Sequence, residues 1–240
     1  TDHAALSLAK LLLSYLPQNN AEDAPRLAAY DDTFRVEDEL NRIVPEDDDL
    51  PYDMRRLLDL VVDRDSILEV SEAYARNAIT AFGRLDGHSV GLVANQPLQL
   101  SGALDIDSSD KIARFVRLCD AYNLPVITFV DCPGYLPGVD QEYSGVIRHG
   151  AKVIYAYAQA TVPKLSVVTR KAIGGSYVAM SSKQMGNDIA FAWPTAQIAV
   201  MGAEGASRLL NRRALAEAGD PVAAQAAVIA EHKEEFFNPY

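Results

Sequence analysis

Two predominantly apolar runs, Val126 to Val130 and Leu165 to Thr169, each break into a turn of small residues that leads into a helix-forming segment. An apolar run without polar alternation is buried on both faces, as strands inside a parallel sheet are. The chain around them keeps the same rhythm from Gly83 onward. Asp86-Gly87 is a turn, Ser89 to Ala94 a strand that stops at Asn95-Gln96-Pro97, and Ser108 or Ser109 is placed to cap a helix with Ile112, Phe115, Val116 and Cys119 on one face. Asn123-Leu124-Pro125 ends that helix. A second helix turns Val146, Gly150, Val153, Ile154 and Tyr157 inward, a third lies around Tyr177 to Lys183, and two short strands follow at Ile189 to Ala192 and Ile198 to Met201. Strands alternating with helices predict an α/β fold with parallel pairing.

The first part of the chain has a different texture. Ala5, Leu8, Ala9, Leu12 and Leu16 fall at helical spacing and predict an amphipathic helix stopped near Pro17. Asp2 and Lys10, and the lack of a basic opening, argue against a targeting segment, and the run is too short to cross a membrane. From Gln18 to about Pro51 the chain is acidic, broken by Pro25 and Pro45, and reads as an extended connection. Glu46-Asp47-Asp48-Asp49 lacks the staged ligand positions of a calcium loop, so a solvated acidic loop is expected rather than a metal site. Asp53 is placed to cap a helix through Val62 with Met54, Leu57, Leu58 and Val61 on one face, and Asp65-Ser66 ends it. The expected division is residues 1–66 as a helical and acidic lead-in and residues 67–240 as the α/β domain.

The net charge of −11, with no basic stripe, argues against nucleic acid. Cys119 and Cys132 have neither zinc nor redox spacing, which favours a reducing, cytoplasmic compartment, although their pairing stays open. No credible metal-ligand spacing is present, and no G-x-G-x-x-G or G-x-x-x-x-G-K-[ST] fingerprint follows a strand. His149 is the histidine nearest a candidate turn and reads either as a half-exposed helix residue or as a base. Asp140 and Glu142 read either as favourable charges in the first turn of a helix or as an acid/base pair. The remaining chemistry belongs to the backbone. N–H groups in the first turn of a helix have no intrahelical acceptor, and a glycine lets a ligand approach them, so Gly174-Gly175 and the Asp131–Gly138 turn are candidate oxyanion sites.

The motifs Gly83-Arg84-Leu85-Asp86-Gly87, Val93-Ala94-Asn95-Gln96-Pro97, Phe129 to Gly138 (read Phe-Val-Asp-Cys-Pro-Gly-Tyr-Leu-Pro-Gly), Gly150-Ala151-Lys152, Thr169 to Tyr177 (read Thr-Arg-Lys-Ala-Ile-Gly-Gly-Ser-Tyr), Ala192 to Ala196 and Val200 to Ala203 occur in an order that resembles the C-terminal half of the carboxyltransferase β subunit of biotin-dependent acyl-CoA carboxylases. The resemblance runs from about Thr1 to Gly205 and loosens around Ser207 to Arg213. It implies a crotonase-like ββα spiral with an N-terminal helical arm. It implies transfer of a carboxyl group from carboxybiotin, held on a carrier protein, to the α-carbon of a short acyl-CoA such as acetyl- or propionyl-CoA. The backbone N–H groups of Gly175 and Ser176 would hold the biotin ureido oxygen, with Gly174, Pro133, Gly134, Tyr135 and Val178 around it, and Val178 at a position that varies with substrate.

The same resemblance implies as partners a biotin carboxyl carrier and biotin carboxylase subunit, the N-terminal carboxyltransferase half that binds the acyl-CoA, and further copies in a homo-oligomer, hexameric in this family. That N-terminal half is expected upstream of Thr1, and relatives continue past Tyr240. A biotin-dependent decarboxylase or transcarboxylase, and a non-catalytic half that needs a partner chain, are the alternatives.

Overall fold

The computed structural model describes residues 1–240 apart from 20, 30, 213, 214, 216–218 and 237–240. Its centre is a seven-stranded sheet. β1 (Leu68–Glu69) pairs antiparallel with β2 (Ala78–Leu85), and β2 pairs antiparallel with β3 (His88–Asn95) around the Asp86-Gly87 turn. From β3 the sheet becomes parallel, through β4 (Val126–Cys132) and β5 (Lys164–Ile173). β5 then takes two neighbours in succession, β6 (Ile189–Ala192) beside its first half and β7 (Gln197–Ala199) beside its last residues. β2 begins at Ala78, upstream of the Gly83 boundary suggested by sequence. β7 is shorter than expected and starts one residue earlier.

Two cores explain why β4 has no polar alternation. Val126, Val130 and Cys132 pack under the helices α3 (Ile106–Ala121) and α5 (Val146–Gln159) with Ile112, Phe115, Val116, Val153 and Tyr157. Ile127 and Phe129 face the opposite way and pack on α2 (Met54–Val61) through Met54, Leu57 and Leu58, together with Tyr52 and Val44. Residues before 66 thus supply the cover for one face of β2, β3 and β4, while β6 at the sheet edge stays exposed. Asp53 caps α2 by accepting from the Arg55 N–H at 3.0 Å, as its position predicts.

Several local expectations are corrected. α3 is capped by Asp105 and not by Ser108 or Ser109; Ser108 is its reciprocal partner, with the Asp105 carboxylate on the Ser108 N–H at 2.8 Å and the Ser108 hydroxyl on the Asp105 N–H at 2.8 Å. The first helix, α1 (Asp2–Leu13), buries none of its residues, and Leu6, Leu8, Leu11 and Leu13 are exposed. The arm is anchored just beyond it, where buried Tyr15 stacks on Phe82 and lies under the Arg84 guanidinium, which also donates to the Ser14 carbonyl at 2.8 Å. On α5 Ala156 takes the buried place expected of Ile154, which is 37% exposed. The helix expected around Tyr177 to Lys183 begins earlier and is shorter: it is α6 (Gly174–Ala179), preceded by α4 (Val139–Ser144) and α5 in chain order. The chain closes with α7 (Ala203–Leu210) and α8 (Pro221–Phe236). Of the loosely matching stretch Ser207 to Arg213, residue 213 lies outside the described residues.

Candidate functional site

Adjacent parallel strands whose ends release into loops at the same sheet edge are the usual place for a ligand in an α/β fold. β4 and β5 are such a pair, and both glycine turns stand on their carboxyl ends. The first turn runs Pro133 to Gly138, with Gly134 at φ 155° and Gly138 at φ 148°, conformations that side chains disfavour. It is clipped to the neighbouring loop: the Leu104 N–H donates to the Gly134 carbonyl at 3.0 Å and the Leu136 N–H to the Leu104 carbonyl at 2.7 Å. Nothing lies within 4 Å of where a Cβ on Gly134 would be, so the space before this turn is open.

The second turn is tighter. Gly174 has φ 65° and a Cβ there would come within 3.2 Å of the Val200 carbonyl, whereas a Cβ on Gly175 would meet nothing within 4 Å. Because α6 starts at Gly174, the N–H groups of Gly174, Gly175 and Ser176 are its first and have no intrahelical acceptor. Ser176 is fully buried and its hydroxyl donates back to the Ile173 carbonyl at 2.9 Å, so the side chain is engaged within the turn, whereas Gly174 is half-buried and Gly175 exposed.

Between the strand ends lies a cavity of about 500 Å³ whose lining includes Pro133, Lys171, Ile173, Gln197, Asp48 and Lys233. The acidic loop is therefore only partly solvated. Glu46, Asp47 and Asp49 are exposed, but Asp48 turns in and accepts from Gln197 at 2.6 Å and Lys233 at 2.9 Å. Tyr135 points away from this cavity, with its ring against Gly150 of α5; burial pushes its hydroxyl up to about 12, and that hydroxyl has no hydrogen-bond partner among the described residues. Val178 is half-buried on α6 and is not among the cavity's lining residues.

Two charged residues, read from sequence only as parts of longer motifs, lie directly beneath both turns. Asp131 on β4 is fully buried; its carboxylate accepts from Arg170 Nε at 3.1 Å and from the Lys171 N–H at 3.0 Å. Burial raises the Asp131 carboxyl above its usual value against the opposing pull of Arg170. Arg170 lies against the Tyr52 ring and donates to the carbonyls of Asp47 and Leu50. Charged residues inside otherwise apolar strand ends were the available signal.

His149 belongs elsewhere. It is half-buried and its Nδ1 lies 2.9 Å from Asp110, which also takes Lys152 at 2.7 Å. Burial pushes the Asp110 carboxyl up, but the hydrogen bonds from Lys152 and His149 outweigh it and hold it below the usual range. Asp110 and Lys152 line a separate groove between α3 and α5. Asp140 and Glu142 are exposed in the first turn of α4. Cys119 and Cys132 are both buried free thiols on different elements. No helix among the described residues is long and apolar enough to cross a membrane.

The carboxyl transferase domain model matches residues 1–240. The chain is 55% identical over its whole length to the carboxyltransferase subunit of propionyl-CoA carboxylase from Haloferax mediterranei, covering 46% of that protein, and 48% identical to the methylmalonyl-CoA decarboxylase subunit alpha of Propionigenium modestum, again covering 46%. A crystal structure of the transcarboxylase 12S hexamer with methylmalonyl-coenzyme A and methylmalonic acid bound superposes with a TM-score of 0.96 at 52% identity, over all of this chain and 46% of the other. The chain spans about half the length of the relatives it matches. The crotonase-like architecture expected from the motifs holds.

Proposed function

This chain belongs to the carboxyl transferase domain family, and on that premise we propose that it is the carboxybiotin-binding half of a carboxyltransferase acting on a short acyl-CoA, acetyl- or propionyl-CoA, in the cytoplasm. The observation that carries the proposal is the pair of glycine turns on neighbouring parallel strands, with open space before Gly134 and Gly175 and, at Gly174, Gly175 and Ser176, three first-turn N–H groups that have no intrahelical acceptor. That arrangement suits a planar ureido oxygen, which needs donors that stand ready without reorganisation. Biotin, when bound, supplies the group that carries the carboxyl and takes up the α-proton of the acyl-CoA.

The chain's own part is positional. The Gly175 and Ser176 N–H groups hold the ureido oxygen, Pro133 and Ile173 wall the approach, and Gly134 leaves room for the ring. No side-chain base is required of this half, consistent with the separate setting of His149, hydrogen-bonded to Asp110. The acyl-CoA itself is assigned to the N-terminal half, the biotin to a carrier subunit, and the working unit to an oligomer. The same turns serve carboxylation and its reverse, and relatives named for carboxylation, decarboxylation and transcarboxylation stand at comparable identity.

Gly175 offers the direct test. Its φ is not in the left-handed region and its Cβ position is empty, so Gly175→Leu folds, but its side chain fills the space the ligand needs. In enzyme assembled with the N-terminal half, carboxyl transfer between biotin and methylmalonyl-CoA is expected to drop at least ~100-fold, the scale of losing oxyanion donors, with an unchanged melting temperature. Full activity in a normally melting Gly175→Leu enzyme would refute the assignment. The isolated chain is expected to be inactive.

A further inference from the structure

The ladder between β4 and β5 is interrupted just below the two turns. Val130 pairs with Val168, but the next pair is Cys132 with Ala172, so Thr169, Arg170 and Lys171 all face the lone Asp131. A step of this kind leaves backbone groups without ladder partners and lets the strands splay. Here side chains close the gap. One Asp131 carboxylate oxygen takes the Lys171 N–H and the other takes Arg170 Nε; the Asp131 N–H donates to Asn95 Oδ1 at 3.2 Å; the Thr169 hydroxyl donates to the Val130 carbonyl at 3.1 Å. Arg170 then reaches across the sheet edge to the carbonyls of Asp47 and Leu50, at 3.1 and 2.9 Å. Close packing seals the far side: a Cβ on Gly102 would come within 2.4 Å of the Asp131 carbonyl.

A buried ion pair is a poor way to gain stability, because desolvating both charges offsets most of their attraction and apolar replacements of similar volume do as well or better. What it does supply is a fixed geometry. The Asp131 and Arg170 side chains are 1% and 4% exposed, and the turn residues Pro133 and Gly174 begin two and four residues further along. A donor misplaced by a fraction of an ångström loses much of its effect on a developing oxyanion. We propose that Asp131 and Arg170 are positioning residues, a clamp that sets the separation and orientation of the Pro133–Gly138 and Gly174–Ser176 turns and so the alignment of their backbone donors. The tie to catalysis rests on the functional reading above; the clamp itself does not.

The test separates positioning from bulk stability with Asp131→Leu, Arg170→Met and the double variant, in the assembled enzyme. Each single variant leaves one charge buried without its partner and is expected to melt lower. The double variant removes both charges and is expected to recover most of the lost melting temperature. If the pair were merely structural, the double variant would behave as wild type in every other respect. The clamp predicts instead that amide hydrogen exchange at Gly134, Tyr135, Leu136 and Gly138 and at Gly174, Gly175 and Ser176 is at least tenfold faster in the double variant while β3 exchanges as before. It also predicts that kcat falls at least tenfold with KM for the acyl-CoA unchanged. Wild-type exchange at both turns in the double variant would overturn the clamp whatever reaction the turns serve. Faster exchange with normal kcat would keep the clamp and sever it from the functional reading.

Discussion

Gly150 is occupied by glycine because of Tyr135, and the contact gives a stability series with a predictable change of sign. A Cβ built on Gly150 would lie 2.7 Å from the Tyr135 hydroxyl oxygen, 2.8 Å from Cζ and 2.9 Å from Cε1, against the ~3.5–4.0 Å of an ordinary carbon contact. The ring is rigid and the hydroxyl buried, so relief requires the whole Tyr135 segment to move by several tenths of an ångström. Overpacking of this kind costs ~1–3 kcal/mol, while replacing glycine by alanine inside a helix returns ~1 kcal/mol. The expected net for Gly150→Ala is a loss of about 1 kcal/mol. Changing Tyr135→Phe removes only the nearest atom and one unpartnered buried hydroxyl; that variant alone should gain ~1 kcal/mol, and Gly150→Ala should still destabilise in its background. Changing Tyr135→Leu removes all three clashing atoms, and in that background Gly150→Ala should become stabilising by ~1 kcal/mol. Urea melts of the variants measure each step, with midpoint shifts read at constant slope. A Gly150→Ala substitution that stabilises the chain while Tyr135 is present, or that has the same effect in all three backgrounds, would show that the Tyr135 ring does not set the glycine. Since Tyr135 is part of the first turn, a destabilising Gly150→Ala should also slow carboxyl transfer in the assembled enzyme.

Other outcomes follow from buried polar groups. Lys111 donates to the carbonyls of Tyr74, Ala75 and Ala78, and Lys111→Met should cost ~2 kcal/mol at pH 7 by leaving those acceptors unsatisfied. Burial pushes Lys111 down to about 8 from 10.5, so between those values the unfolded chain holds a proton that the folded chain has released, and this group's contribution to stability rises with pH there. The gap in stability between wild type and Lys111→Met should therefore widen from pH 8 to pH 10, and a gap that narrows would contradict the assignment. Burial raises both thiols, Cys132 to about 11, so neither should react with iodoacetamide at pH 8 in the folded chain although both do in urea; fast native labelling would show otherwise. Arg84→Met should release the N-terminal arm by removing the guanidinium from Tyr15, Ser14 and Ser89, read as faster proteolysis within residues 17–25. Unchanged cleavage would place the anchor elsewhere.

Local pattern carried much of this protein. The apolar runs at Val126 and Leu165 announced buried parallel strands, and the Asp53 cap and the Asp86-Gly87 turn were legible because each depends on residues within a few positions of one another, whereas the strand before that turn, Ala78–Leu85, was not read. The helix starts at Ile106, capped by Asp105, and at Gly174 were misplaced. Asp105 was passed over for its own reciprocal partner Ser108, three residues on, and α6 opens at Gly174 with no side-chain cap to mark it. Tertiary structure alone decided that Tyr135 faces α5 and not the cavity, that Asp48 turns to meet Gln197 and Lys233, and that α2 packs on the second face of the central strands. It also decided that Asp131 and Arg170 meet. A carboxylate and a guanidinium 39 residues apart carry no sequence signal for their pairing, because what brings them together is the offset between two strands, and that offset is set by packing on both faces of the sheet.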